Sequence, residues 1–224
     1  MGEMVNFAAN GGACPGYLAT AGAAGAPGVV VIQEYWGLNH HIKDVVDRFA
    51  AAGYTALAPD LYHGTVATEP DEAGKEMMAL NIGQAATDMR GAIAHLRGLI
   101  GKRVGVVGFC MGGALSLYAA GDNPDAVGAC VDYYGFHPNV PYDLAALRAP
   151  LRGFFAGQDH SYASPQYVHD LDTRLTALGK AHDFTTYPDC DHAFFNDDRP
   201  EVYNAAAARD TWQKMLDFFG QHLR

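Results

Sequence analysis

One of the four cysteines of this chain sits in a string suited to nucleophilic chemistry, Gly108-Phe109-Cys110-Met111-Gly112-Gly113. The apolar run Val104 to Val107 precedes it, and an Ala/Leu-rich segment from Ala114 to Ala120 follows. This is the G-x-S-x-G pattern of a strand-turn-helix elbow, with Cys in the serine place. So tight a turn needs small flanking residues, hence Gly108 and Gly112. It lifts the Cys110 side chain above the sheet edge and aims the backbone N–H of Met111 and the helix N-terminus at whatever Cys110 attacks. The same string also occurs in ordinary strand-to-helix turns with a buried Cys; the strand before it and the helix after it favour the elbow.

A cysteine nucleophile needs a base, and the base needs an orienting carboxylate. In elbow-bearing sheets they follow in the order nucleophile, acid, histidine. His192, in Tyr187-Pro-Asp-Cys-Asp-His-Ala-Phe-Phe195, follows the last predicted strand and can reach back over the elbow. His160, His169 and His182 lie in or beside helical surface segments and read as solvated. Asp159, directly after the run Leu151 to Ala156, is the first candidate acid, and Asp132, ending the preceding strand, is the second. Asp189 and Asp191 read as solvated loop residues. A metal site drawn from His40, His41 and His63 is disfavoured because the first two are adjacent and point to different sides of a helix start. They read as surface or pocket-rim residues, and neither a metal nor a cofactor is expected.

These groups must be positioned by a sheet. Short apolar runs at Val29 to Gln33, Thr55 to Ala58, Val104 to Gly108, Ala126 to Val131, Leu151 to Ala156 and Phe184 to Tyr187 lack two-residue alternation. That suits strands buried on both faces of a parallel sheet. A further short strand is expected near Gly16 to Thr20. Ile42, Val45, Val46 and Phe49 have helical spacing between an Asn39 N-cap and a Gly53 stop. Val202, Ala205, Ala208, Trp212, Met215, Leu216 and Phe219 form one stripe of a C-terminal helix. Alternating strands and helices predict a doubly wound, mostly parallel α/β sheet with helices on both faces, as one domain over residues 1–224. Functional groups then belong at the carboxyl ends of the strands.

The chain has 224 residues, 49% of them apolar, and a formal net charge of -10. Its 15 basic residues stand scattered from Lys43 to Arg224, which argues against nucleic-acid binding, a mode that clusters Lys and Arg. No base precedes Lys43, so the start lacks the positive region of a signal peptide. The longest aliphatic run, Gly28 to Ile32, falls far short of a membrane span. A cytoplasmic monomer acting on a small molecule is expected. With no C-x-x-C pair, Cys14, Cys130 and Cys190 read as free, small packing residues.

Taken together, these residues resemble the dienelactone hydrolases, or carboxymethylenebutenolidases, of the α/β-hydrolase fold. The resemblance spans essentially the whole chain. It rests on Val31-Ile-Gln-Glu-Tyr-Trp-Gly-Leu38, Gly53-Tyr-Thr-Ala-Leu-Ala-Pro-Asp-Leu-Tyr62, the Cys110 elbow, Ala156-Gly-Gln-Asp159 and His192-Ala-Phe194. It implies a Cys110–His192–Asp159 triad, an oxyanion hole from the backbone N–H groups of Tyr35 and Met111, and a Glu34 that contacts the resting thiol and takes its proton when substrate binds. A thiolate formed only with substrate present is protected from oxidation. The reaction implied is attack of Cys110 on an enol-lactone carbonyl, expulsion of an enolate, and hydrolysis of the thioester by water activated at His192. Where such enzymes hold the substrate carboxylate with two arginines, this chain has Lys75 and Asn196. Bidentate recognition is therefore not expected, and Lys75 is the local cation that would draw an anion against the overall charge. Trp36, Tyr133, Tyr134 and Phe194 are the expected apolar walls. Two other functions fit the same residues: a broader carboxylesterase or thioesterase, and a non-catalytic ligand-binding protein on a hydrolase scaffold.

Overall fold

A computed structural model of the protein describes every residue except Asn10, Ser161 and Arg224. Eight strands form one sheet: β1 (Glu3–Ala9), β2 (Gly12–Ala19), β3 (Gly28–Ile32), β4 (Thr55–Pro59), β5 (Val104–Phe109), β6 (Val127–Tyr133), β7 (Leu151–Ala156) and β8 (His182–Tyr187). Their order is β1-β2-β4-β3-β5-β6-β7-β8. β1 and β2, and β2 and β4, pair antiparallel; the remaining pairs are parallel. The helices are α1 (His40–Ala51), α2 (Pro70–Ala79), α3 (Ile82–Ile100), α4 (Met111–Asp122), α5 (Pro165–Ala177) and α6 (Ala205–His222).

Every residue of β3, β4, β5, β6 and β7 is buried. Helices α3 and α4 pack on one side of the sheet, and α1 and α6 on the other, where the rings of Phe49, Trp212 and Phe219 meet. Two covered faces explain why these strands are continuously apolar in sequence. Each fully buried Phe in such a layer stabilises by roughly 1.5–3 kcal/mol. β8, an edge strand, is only partly buried. The Asn39 side chain accepts from the Ile42 N–H at 3.2 Å to start α1, and Gly53, at φ 90°, stops it.

The differences from expectation lie at the margins. β1 escapes notice because only Phe7 and Ala9 of its seven residues are buried, yet its pairing from Glu3↔Leu18 to Ala9↔Gly12 lengthens β2 to eight residues. Val202 precedes α6, which begins after the Asn204 cap, and Ala205 is exposed on that helix.

Cys14, Cys110, Cys130 and Cys190 are all free and buried. Burial, reinforced by the Asp88 and Asp60 carboxylates, pushes the Cys14 thiol up to about 12. Burial also raises Cys130 and, with Asp189 and Asp191 adding, Cys190. Among the described residues no helix is long and apolar enough to cross a membrane.

Candidate active site

The turn between β5 and α4 holds Cys110 at φ 56° and ψ −120°, a strained conformation for a residue with a Cβ. The surroundings over-determine it: Cys110 N–H donates to the Tyr133 carbonyl at 3.0 Å, and Gly113 and Phe136 N–H groups donate to the Cys110 carbonyl at 2.9 and 3.2 Å. A Cβ on Gly108 would stand 1.7 Å from the Gly112 carbonyl oxygen, and one on Gly112 would stand 2.4 Å from that of Ile32. Both glycines are thus demanded by backbone packed against backbone.

Two loops at the carboxyl ends of β7 and β8 bring an acid and an imidazole to this turn. They are joined by the Gln158 N–H donating to the Cys190 carbonyl at 3.0 Å. His192 Nδ1 lies 2.6 Å from Asp159 Oδ2. Asp159 also accepts from the Tyr162 and Ala163 N–H groups at 3.0 and 3.1 Å, which fixes its carboxylate. The His192 ring lies 5.0 Å from both the Tyr134 and Tyr162 rings. Its Nε2 is buried without a hydrogen-bond partner of ordinary geometry. Burial alone would lower the imidazole's pKa; the negative charge available at Cys110 and the bond to Asp159 outweigh it and raise the pKa above the ordinary range. An electrostatic link between His192 and Cys110 is what proton exchange between them requires.

Glu34, after β3, is 1% exposed. Asn196 Nδ2 donates to its Oε2 at 2.6 Å, while Oε1 is buried with no partner. A half-satisfied buried carboxylate is costly, and this one lines the same cavity as Cys110 and His192. The resting bond to the Cys110 thiol that the resemblance implied is not made.

The cavity, of about 260 Å³, is lined by Glu34, Cys110, Asp159 and His192 together with Tyr35, Trp36, Met77 and Tyr162, among others. Several expected substrate contacts lie elsewhere. Lys75 is exposed and borders a neighbouring cavity, because α2 turns Met77 inward and a residue two positions away faces nearly the opposite side. Tyr133 and Phe194 are fully buried in an aromatic layer with Phe109, Phe154 and Phe195. Tyr134 packs beneath His192 instead of lining the cavity. Asn196 serves Glu34. Asp132, the second candidate acid, is wholly buried against the Gly113 and Gly135 backbones, and burial raises its carboxyl to about 7. His160 and Asp191, read as solvated, line the cavity. His41, read as a rim residue, is fully buried against Asp197 at 3.1 Å, and exposed His40 meets Asp198.

The cation at this cavity is Arg199, which sequence reasoning missed. Among the described residues it is the one Lys or Arg in the lining, 5.9 Å over the Trp36 ring and 2.9 Å from Glu201 Oε1. A signal was present: Arg199 is the sole Lys or Arg between His192 and Asn204. Tyr162 carried none.

An eight-stranded, mostly parallel sheet with a cysteine on a strained strand-to-helix turn, and acid and histidine on later loops, is an α/β-hydrolase fold. The sequence pattern of the dienelactone hydrolase family matches residues 14–223, and the chain belongs to that family. It is 37% identical to Protein usf of Aquifex pyrophilus and 32% identical to a provisionally named carboxymethylenebutenolidase of Aquifex aeolicus, each over 100% of both chains. A provisionally named dienelactone hydrolase structure from Klebsiella pneumoniae superposes with a TM-score of 0.90 at 29% identity, covering 99% of both chains. The chain is accordingly an ester hydrolase of the carboxymethylenebutenolidase type.

Proposed function

We propose that the protein opens an enol-lactone through a Cys110 thioester. The reading is carried by one observation: Cys110, the His192–Asp159 pair and the unpartnered Oε1 of Glu34 border a single cavity. In this reading Glu34 takes the thiol proton once substrate is bound, and Cys110 Sγ attacks the lactone carbonyl. The N–H groups of Tyr35 and Met111 hold the oxyanion, the latter in the first turn of α4 where amides have no intrahelical acceptor. The ring C–O bond breaks and an enolate departs, a better leaving group than an alkoxide; it takes up the proton held by Glu34, which restores the carboxylate. Water, losing its proton to His192, then cleaves the thioester and returns the thiol. Asp159 keeps the imidazole in the required tautomer.

Glu34→Gln is expected to slow alkylation of Cys110, in the presence of a substrate analogue, by about 100-fold, the usual scale for a general base. Mass-spectrometric labelling kinetics equal to those of the unaltered protein would remove the gating role.

Arg199 is the group to meet a substrate carboxylate. Losing one charge-assisted contact of about 1.5–3 kcal/mol should lower kcat/KM of Arg199→Ala for a carboxylate-bearing dienelactone by about 10- to 100-fold. Neutral aryl esters should change less than about threefold. A second reading, a broader esterase, is favoured by the pairing of Arg199 with Glu201, which leaves a single, partly neutralised cation. Steady-state hydrolysis of cis and trans dienelactone beside neutral lactones and aryl esters separates the two: dienelactone rates no better than those of simple esters select the second.

A further inference from the structure

A second group of ligand-type side chains lies outside the catalytic cavity, where β2, the loop after β4 and α3 meet. Cys14 Sγ, a ring nitrogen of His63 and an Asp88 carboxylate oxygen lie within 4.8 Å of one another, with His63 Nε2 2.8 Å from Asp88 Oδ2. Cys14 and Asp88 are 0% and 1% exposed. The His63 side chain is 41% exposed and borders a cavity of about 180 Å³ shared with Gln84, so the cluster has an entry path. Two of the donors are held from behind. Gln84 Nε2 donates to Asp88 Oδ1 at 2.9 Å, leaving Oδ2 for His63. The Asp60 carboxylate accepts from Tyr62 and Gly64 N–H groups at 3.2 and 2.7 Å, fixing the turn on which His63 sits at φ 50°.

We propose that Cys14, His63 and Asp88 form a binding site for a zinc-like divalent ion, with water in the fourth position. Sulfur, imidazole and carboxylate together suit a borderline-soft tetrahedral ion, whereas Mg²⁺ and Ca²⁺ call for six or more oxygens. Bonds of about 2.0–2.3 Å place tetrahedral ligands roughly 3.3–3.8 Å apart; here the donors stand 2.8 Å apart at His63–Asp88 and all within 4.8 Å. The half-exposed imidazole is the ligand free to adjust. On binding, the Cys14 S–H proton leaves to solvent as the sulfur–metal bond forms. The His63–Asp88 hydrogen bond gives way to nitrogen–metal and oxygen–metal bonds, with the ring proton on Nδ1. One thiolate and one carboxylate neutralise the ion. The bound metal would clip β2 and α3 to the turn whose Tyr62 hydroxyl donates to Met111 Sδ at 3.4 Å.

The test uses the full-length Cys110→Ala protein, so that the catalytic thiol cannot supply a ligand. Zn²⁺ is titrated against a chromophoric chelator, and Co²⁺ reports sulfur ligation by its thiolate charge-transfer absorption. One equivalent should bind, with the cobalt band present, and affinity should fall by at least about 10- to 100-fold in Cys14→Ser, His63→Ala and Asp88→Asn. His63→Ala alters an exposed residue and stays informative even if the two buried variants unfold. No stoichiometric binding, binding indifferent to His63→Ala, or binding lost on removing Cys110 would each overturn the site.

Discussion

Cys110→Ala is expected to reduce turnover by at least about 10⁴-fold while leaving the protein folded. The magnitude follows from how triads behave: members act as a unit, and removing the nucleophile leaves only the contribution of binding and the oxyanion donors. The fold should persist because the substitution deletes one sulfur atom at a residue 7% exposed that faces a cavity. It also leaves untouched the backbone bonds from Cys110 N–H to Tyr133 and from Gly113 and Phe136 to the Cys110 carbonyl. The turn holds Cys110 at positive φ against the preference of any residue bearing a Cβ, so an alanine there is no more strained than the cysteine. Steady-state assays beside a thermal melt check both halves. Full activity in a folded Cys110→Ala protein would remove the nucleophile assignment, and with it the thioester.

Gly108→Ala is expected to do the opposite, destabilising the whole protein by about 3 kcal/mol or more through overpacking that cannot relax. The added methyl would meet the Gly112 carbonyl group at 1.7 and 2.1 Å and the Gly113 nitrogen at 2.7 Å. All three atoms are backbone at the start of α4, with no flexible side chain to swing aside. Relief requires α4 to move off β5, the strand beside β3 at the middle of the sheet, and α4 also packs on β6. Chemical denaturation should show the loss at an unchanged m-value, and activity should disappear with the elbow geometry. A Gly108→Ala protein of unaltered stability would mean that the turn is not built as described. Gly53→Ala offers a contrast, since no atom lies within 4 Å of an added Cβ there and only the φ of 90° opposes it.

That Cys110, Asp159 and His192 border one cavity was readable in the linear chain because each is tied to a strand end. Cys110 is bracketed by glycines that only a tight turn explains. Asp159 and His192 each follow an apolar run within a few residues, so a parallel sheet delivers them to one edge wherever the helices fall. Continuous apolar runs announced two covered faces for the same reason. The lining of the cavity was not readable, since a side chain's direction depends on helix rotation and loop path. Lys75 and Met77 sit two residues apart on α2, and the sequence favours the charged one, but the helix turns the methionine inward. Tyr133 and Tyr134 are adjacent at the end of β6: one disappears into the aromatic layer and the other, at φ 41°, packs under His192.

Asp132 and Asp159 make the same point for acids. Asp132 lies within β6 and stays between the Gly113 and Gly135 backbones, while Asp159 lies three residues past β7, on a loop that turns its carboxylate to His192. Asn196 was expected at the substrate and Arg199 had no expected role, and the loop places them otherwise. Asn196 is drawn inward by the buried Glu34, and Arg199 is left over Trp36 at the cavity wall.

The four thiols show where the division falls. Composition and spacing alone establish that none belongs to a paired motif and that one, by its glycine neighbours, is a nucleophile candidate. That Cys14 lies beside His63 and Asp88 depends on β2, a loop and α3 converging from positions 49 and 74 residues distant in the chain. Local sequence determines turns and buried strands because their causes are local: steric room for a Cβ, and the period of apolar residues. Which polar groups meet is decided only when long-range packing closes.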